Sequence, residues 1–211
     1  MRAKRGSLRE WRSIFVFLRR LVALTNSQFA YAAAVSMQRL TPFPKGIPTT
    51  FQHFNSQRFN MIKLLFICHG NICRSPMAEF VMKHLVAEDG IADQFEIASA
   101  ATSTEEIGNP VYPPARRKLA EHGIGCEGKT ARQMTRQDYA YYDYVIAMDQ
   151  NNLRNLKRMF GEDTDHKISL LMDYTQRPGD VADPWYTGDF EATWVDVLEG
   201  CKGLLSYLKK Q

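Results

Sequence analysis

The chain has 211 residues, 45% hydrophobic and 24% charged, which fits a soluble globular protein able to bury a core. Its formal net charge of +4 joins two unlike regions. Residues 1–60 hold ten Lys/Arg against the single acid Glu10, whereas residues 61–211 hold 17 Lys/Arg against 22 Asp/Glu. The basic balance therefore belongs to the N-terminal segment and is no argument for nucleic-acid binding by the rest.

No apolar stretch of the segment 1–60 approaches the ~20 residues that a bilayer span needs. Arg19 and Arg20 interrupt the run from Ile14 to Leu24, so it is too short to span a bilayer and too divided for the centre of a secretory signal. Residues 41–60, with three prolines and no period, read as a linker. The segment is expected to be a disordered extension or sequence upstream of the native start, with an anchor or targeting peptide as the other readings. Residues 61–211 are expected to form one domain.

From Met61 the pattern is regular. Ile62–Ile67 is a short, mostly apolar run expected of a buried parallel strand. A helix is expected to open at Pro76, where the missing N–H costs nothing. Further strands are expected at Phe95–Ser99, Tyr144–Met148 and Ile168–Met172. Helices are expected from Pro113 to His122, Thr135 to Tyr142 and Asn151 to Phe160. A long last helix carries Phe190, Trp194, Val197, Leu198, Cys201, Leu204, Leu205 and Leu208 on one face. Alternating strands and helices predict an α/β three-layer sandwich: a four-stranded parallel sheet with helices on both faces. In such sheets ligands bind beyond the carboxyl ends of the strands, where Cys68 stands.

The four cysteines, Cys68, Cys73, Cys126 and Cys201, include no Cys-x2-Cys pair and make neither a zinc site nor a disulfide scaffold. Reduced thiol chemistry in the cytoplasm is the expectation. Cys68-His69-Gly70-Asn71-Ile72-Cys73-Arg74-Ser75 places a thiol at a strand end and an arginine six residues on, before a helix. Each part suits phosphate. The loop can turn backbone N–H groups inward as an anion nest, and the helix N-terminus adds donors and partial positive charge. Arg74 can hold two phosphate oxygens in a fork that lysine lacks. Gly70 lets backbone come close, and Asn71 tolerates a left-handed turn. The same field favours thiolate over thiol. Ser75 can hydrogen-bond the sulfur as a leaving group.

This loop, Cys68 through Pro76, resembles the active-site signature of the low-molecular-weight protein tyrosine phosphatases. The resemblance runs from Met61 to Lys210 and includes Ser99-Ala-Ala, Ala131-Arg-Gln, Met148-Asp149 and Asp183-Pro-Trp-Tyr186. It implies phosphotyrosine in proteins as substrate, a phosphocysteine on Cys68, and Asp183 as general acid and then base. No metal or cofactor is expected. Trp185 and Tyr186 are expected to wall the cleft and stack on an aryl group. The counterpart of Cys73 in the family can form a disulfide with the nucleophile, which would make oxidation reversible. A monomer or weak dimer is expected, with no membrane span.

The chain departs from the pattern at Lys129, where many relatives carry a histidine hydrogen-bonded to the loop asparagine. Asn71 is then expected to rest on Ser75 and Ser99. Glu105, followed by Glu106, stands where animal members place an aromatic residue, and His69 is expected at the cleft mouth. Two rival activities use the same fold: phosphoarginine hydrolysis, whose enzymes have threonine at the position of Ile72, and arsenate reduction, which needs two further cysteines.

Overall fold

The computed structural model describes residues 61–211; the extension 1–60 and the readings made of it lie outside the described residues. In chain order the elements are β1 (Ile62–Cys68), α1 (Arg74–Glu88), β2 (Phe95–Ala101), α2 (Pro113–Glu121), α3 (Arg136–Tyr141), β3 (Tyr144–Ala147), α4 (Gln150–Phe160), β4 (Ile168–Leu170), α5 (Pro184–Thr187) and α6 (Phe190–Leu208). The four strands form one sheet in the order β2-β1-β3-β4, all parallel.

The apolar run Leu64–Cys68 of β1 reflects its central place. Leu64 and Phe66 face a core shared with Met77 and Val81 of α1 and Val197 and Leu204 of α6. Leu65 and Ile67 point the other way, into a core with Val145, Ala147 and Leu156 of α4. A strand covered on both faces has no reason to alternate in polarity. Helices on both sides of one parallel sheet make the expected three-layer sandwich.

The order of the strands locates the site. From β1 the chain passes to β2 on one side, and later to β3 on the other, so β1 is the switch point of the sheet. A crevice opens beyond the carboxyl ends of strands that diverge in this way. Register puts Cys68 opposite Ala101, and Ile67 opposite Ala147. Cys68, Thr102 and Met148-Asp149 therefore leave the sheet at one end.

Most boundaries differ from expectation by a residue or two, the second strand running on to Ala101 and the third stopping at Ala147, and two of the differences bear on the site and the core. The first helix begins at Arg74 rather than Pro76. The fourth strand stops at Leu170, and Leu171–Tyr174 turns as a 3-10 helix instead of continuing to Met172. Asp173 accepts a hydrogen bond from Leu170 N at 3.0 Å, which favours the turn. The turn also drops Leu171 and Met172 into the core under α6. Gly200 and Gly203 permit that approach, because a Cβ at Gly200 would lie 2.5 Å from Leu171 and one at Gly203 only 2.1 Å from the Tyr174 carbonyl oxygen. Apolar content alone could not tell this turn from a longer strand.

Candidate active site

The loop between β1 and α1 closes around Cys68, a residue that is 3% exposed. Asn71 N donates to Sγ at 3.2 Å, and Ser75 Oγ lies 3.1 Å from it. Asn71 takes the left-handed conformation, φ 59°, which asparagine adopts more readily than most residues. Its side chain then reaches inward. Nδ2 donates to Ser75 Oγ at 2.9 Å and to Ser99 Oγ at 2.8 Å, while Oδ1 accepts from Arg132 N at 3.2 Å. The two serines support Asn71 as expected, and the Arg132 backbone adds a third contact.

At its N-terminus α1 has no side-chain cap and no acid in its first turn. Its leading N–H groups are thus without a side-chain acceptor, the condition under which a helix end can take an anion. Arg74, 4% exposed, is fixed by two carboxylates: Nη1 donates to Asp149 Oδ2 at 2.6 Å and Nη2 to Asp183 Oδ2 at 2.6 Å. Burial opposes its charge, but the negative groups at Cys68, Asp183 and Asp149 outweigh it and hold the guanidinium above its ordinary value.

The two aspartates are placed by their own helices. Asp149 follows β3 and caps α4, its Oδ1 accepting from Asn152 N at 2.6 Å. Asp183 caps the short helix α5, its Oδ1 accepting from Trp185 N at 3.1 Å. The segment after Asp183 is thus helical from Pro184 to Thr187. Asp183 keeps 27% of its side chain exposed, against 10% for Asp149.

Around the mouth, Ile72 and Cys73 pack with Ala131, Tyr112 and Phe190. Trp185 stands 5.6 Å from Tyr112 between ring centroids and remains 58% exposed. Tyr186 is 85% exposed. His69 lies at the surface with Nε2 3.2 Å from Glu105 Oε2, and Gly70 is overlain by Glu106, whose Cγ would meet a Cβ there at 3.1 Å. The structure thus gathers Cys68, Arg74, Ser75, Asn71 and Asp183 at one end of the sheet, with Trp185 beside them.

The chain's residues 63–211 match the family model for low molecular weight phosphotyrosine protein phosphatase. The chain belongs to this family. It is 40% identical over 153 residues to the low molecular weight protein-tyrosine-phosphatase YfkJ of Bacillus subtilis, covering 72% of this chain and 98% of that one. The crystal structure of YfkJ superposes with a TM-score of 0.70 over the same shares. The rat low molecular weight phosphotyrosine protein phosphatase is 42% identical over 147 residues, 67% of this chain and 92% of its own. A solved arginine phosphatase of Drosophila, 33% identical, matches 70% of this chain and 98% of its own with a TM-score of 0.65. The fold and the enzyme class, protein-tyrosine-phosphatase, stand as expected.

Membership leaves several contacts that the sequence did not single out. Asp149 was legible only as part of a motif, although a polar residue just past a strand end, ahead of a helix, is a signal of its own. Tyr112, directly before Pro113-Pro114, gave no sign of standing against Trp185. Lys129, the departure from the expected pattern, makes no hydrogen bond to Asn71. Its Nζ donates to the Ser99 carbonyl at 3.0 Å and pairs with Glu79 at 2.9 Å.

Proposed function

We propose that the chain hydrolyses phosphotyrosine in proteins, and small aryl phosphates, through a phosphocysteine on Cys68. The observation that carries this reading is the Arg74 fork, which joins the Cys68 loop to Asp183 at 2.6 Å. In the first step the Cys68 thiolate attacks phosphorus. The bond from phosphorus to the phenolic oxygen breaks, and protonated Asp183 gives its proton to that oxygen. In the second, Asp183 takes a proton from water as the water attacks phosphorus. The sulfur–phosphorus bond breaks, and Ser75 hydrogen-bonds the departing thiolate. Arg74 and the loop N–H groups stabilise the phosphoryl oxygens through both steps.

His69, Gly70, Asn71, Ile72 and Cys73 line the phosphate site in this reading, with Trp185 against the aryl ring. Tyr186, on the same short helix, extends the wall toward a protein substrate. Cys73 is the proposed redox partner. Burial, then the charges at Cys68 and Asp183, pushes its thiol up to about 12, so it stays protonated while Cys68 reacts. Peroxide would convert Cys68 to a sulfenic acid, and the Cys73 sulfur would displace water from it to close a disulfide. This chemistry, with all four cysteines free, favours a reducing, cytoplasmic setting.

The similarity to an arginine phosphatase supports a second reading, phosphoarginine hydrolysis. Ile72, an apolar side chain in the apolar cluster with Ala131 and Tyr112, favours the phenyl ring instead. Arsenate reduction fares worse, since Cys201 is wholly buried with its thiol pushed up by that burial. Purified protein assayed side by side on phosphotyrosine, phosphoarginine and arsenate, without added metal, is expected to turn over phosphotyrosine fastest. Unchanged turnover in Cys68→Ser would sink the mechanism.

A further inference from the structure

The segment that carries Asp183 into the site is tied down at each of the three residues before it. Asp180 Oδ1 accepts from Gln150 N at 3.0 Å, at the start of α4. Val181 N donates to the Met148 carbonyl at 2.8 Å. Ala182 is gripped on both sides by α6. Its N–H donates to Asp196 Oδ2 at 3.0 Å, and its carbonyl accepts from Thr193 Oγ1 at 2.9 Å. Thr193 and Asp196 stand three residues apart on α6 and so share the face that meets this segment. The chemistry above uses neither.

Both grips are themselves fixed. Asp196 Oδ1 accepts from Arg177 Nη2 at 3.0 Å, and the same guanidinium bonds Glu199 through Nε at 3.1 Å. One carboxylate thus gathers residues 177 and 182 of a single loop, and it gives the Ala182 N–H a charged acceptor. Thr193 is fully buried. Its hydroxyl also lies 3.2 Å from the Asp189 carbonyl, the longer of its two contacts.

Beyond Asp183 the support is weaker. α5 has four residues, too few to hold a helix unaided, and Trp185 and Tyr186 on it are exposed. The Asp183 carboxylate rests on Arg74 and on Trp185 N. In the proposed reaction it leaves Arg74 to the phosphate and serves the leaving-group oxygen. A contact that breaks during the reaction cannot hold the acid through it. The bonds at Val181 N and at Ala182 involve no reacting group.

We propose that Asp196 and Thr193 are positioning residues for Asp183: they clamp the Ala182 peptide, and so hold the backbone of the acid while its carboxylate passes from Arg74 to the substrate. Neither touches a reacting atom. Their effect on turnover rests on Asp183 as general acid.

The test uses the full chain with Asp196→Ala joined to Thr193→Val, in the wild-type and in the Asp183→Asn background. Values of kcat/KM are measured on phenyl phosphate, whose leaving group is poorly acidic, and on dinitrophenyl phosphate, whose leaving group is highly acidic. Solvent exchange of the Trp185 backbone N–H, which Asp183 caps, is followed by NMR. In the wild-type background the loss on phenyl phosphate is expected to be about tenfold, and on the dinitrophenyl ester less than about twofold. With Asp183→Asn present, the same replacement should change either value by less than about 1.5-fold, since the sites are coupled. Exchange at Trp185 should rise about fivefold. Asp196→Asn alone keeps an acceptor oxygen for Ala182 N and should stay within about threefold of wild type. Equal losses on the two esters would overturn the proposal, as would equal losses in the two backgrounds or unchanged exchange at Trp185. If Asp183→Asn by itself loses equally on both esters, the acid reading fails alone, and the exchange at Trp185 still decides whether the clamp positions Asp183.

Discussion

Arg74 and Asn71 leave the same loop three residues apart and meet opposite kinds of support. Arg74 is held by carboxylates, one of them on the partly exposed helix start at Asp183. Asn71 is held by neutral hydroxyls and a backbone N–H, all of them buried or nearly so, with a carboxylate only one residue further back. The difference follows from what each must do. A guanidinium that is to bind phosphate needs partners it can share with an incoming anion. A residue that shapes the loop around a thiolate needs partners that never change, and a carboxylate beside the sulfur would repel it.

The charged side can be broken hardest. Arg74→Lys keeps one positive charge but offers a single ammonium where Asp149, Asp183 and a phosphate all call on a planar fork. The expected loss in kcat/KM on an aryl phosphate is on the order of 10²-fold or more. A loss under tenfold would mean the fork is not the phosphate contact. Asp183→Asn comes next. Asparagine can still cap α5, so the fold should survive, but it has no proton to give. Turnover of a poorly acidic phenol is expected to fall about 10²-fold, and that of a highly acidic phenol far less. Equal losses across leaving groups would remove Asp183 from the acid role and leave it as a partner of Arg74.

The two sides also differ in how legible they were. Cys68, Arg74 and Ser75 sit in one short stretch whose order, thiol then fork then helix, is itself the chemistry. Asp183 needed the resemblance, because an aspartate before proline is ordinary. The central strands β1 and β3 were readable because strands buried on both faces write themselves as nearly continuous apolar runs, whereas the edge strands β2 and β4 carry Glu96, Ser99 and Ser169 and were read from their place in the alternation with helices. The end of β4 was not, since Leu171 and Met172 are as apolar in a turn as in a strand. Glu79 and Lys129 were beyond reach for another reason. They are separated by the whole of β2 and α2, and only the packing of Ser99 between them and Asn71 gives either a meaning. Lys129 could be read as a missing histidine but not as the partner of a particular acid.

The smallest expected effect tests the quiet side on its own terms, through stability. Glu79 is held below its ordinary value in the fold, so the folded chain binds fewer protons than the unfolded one between those two values. Stability therefore rises with pH across that window, is fully present above the ordinary carboxylate pKa, and is lost as pH falls through the folded value. Asp138 and Asp163 are also held low, so the wild-type acid limb is a composite. They are common to a Glu79→Gln with Lys129→Met variant, and they cancel in the difference between the two proteins. The Tm advantage of wild type over that variant should shrink as pH falls from 6 to 3. A difference flat across that range would mean that Glu79 is not held ionised by the fold.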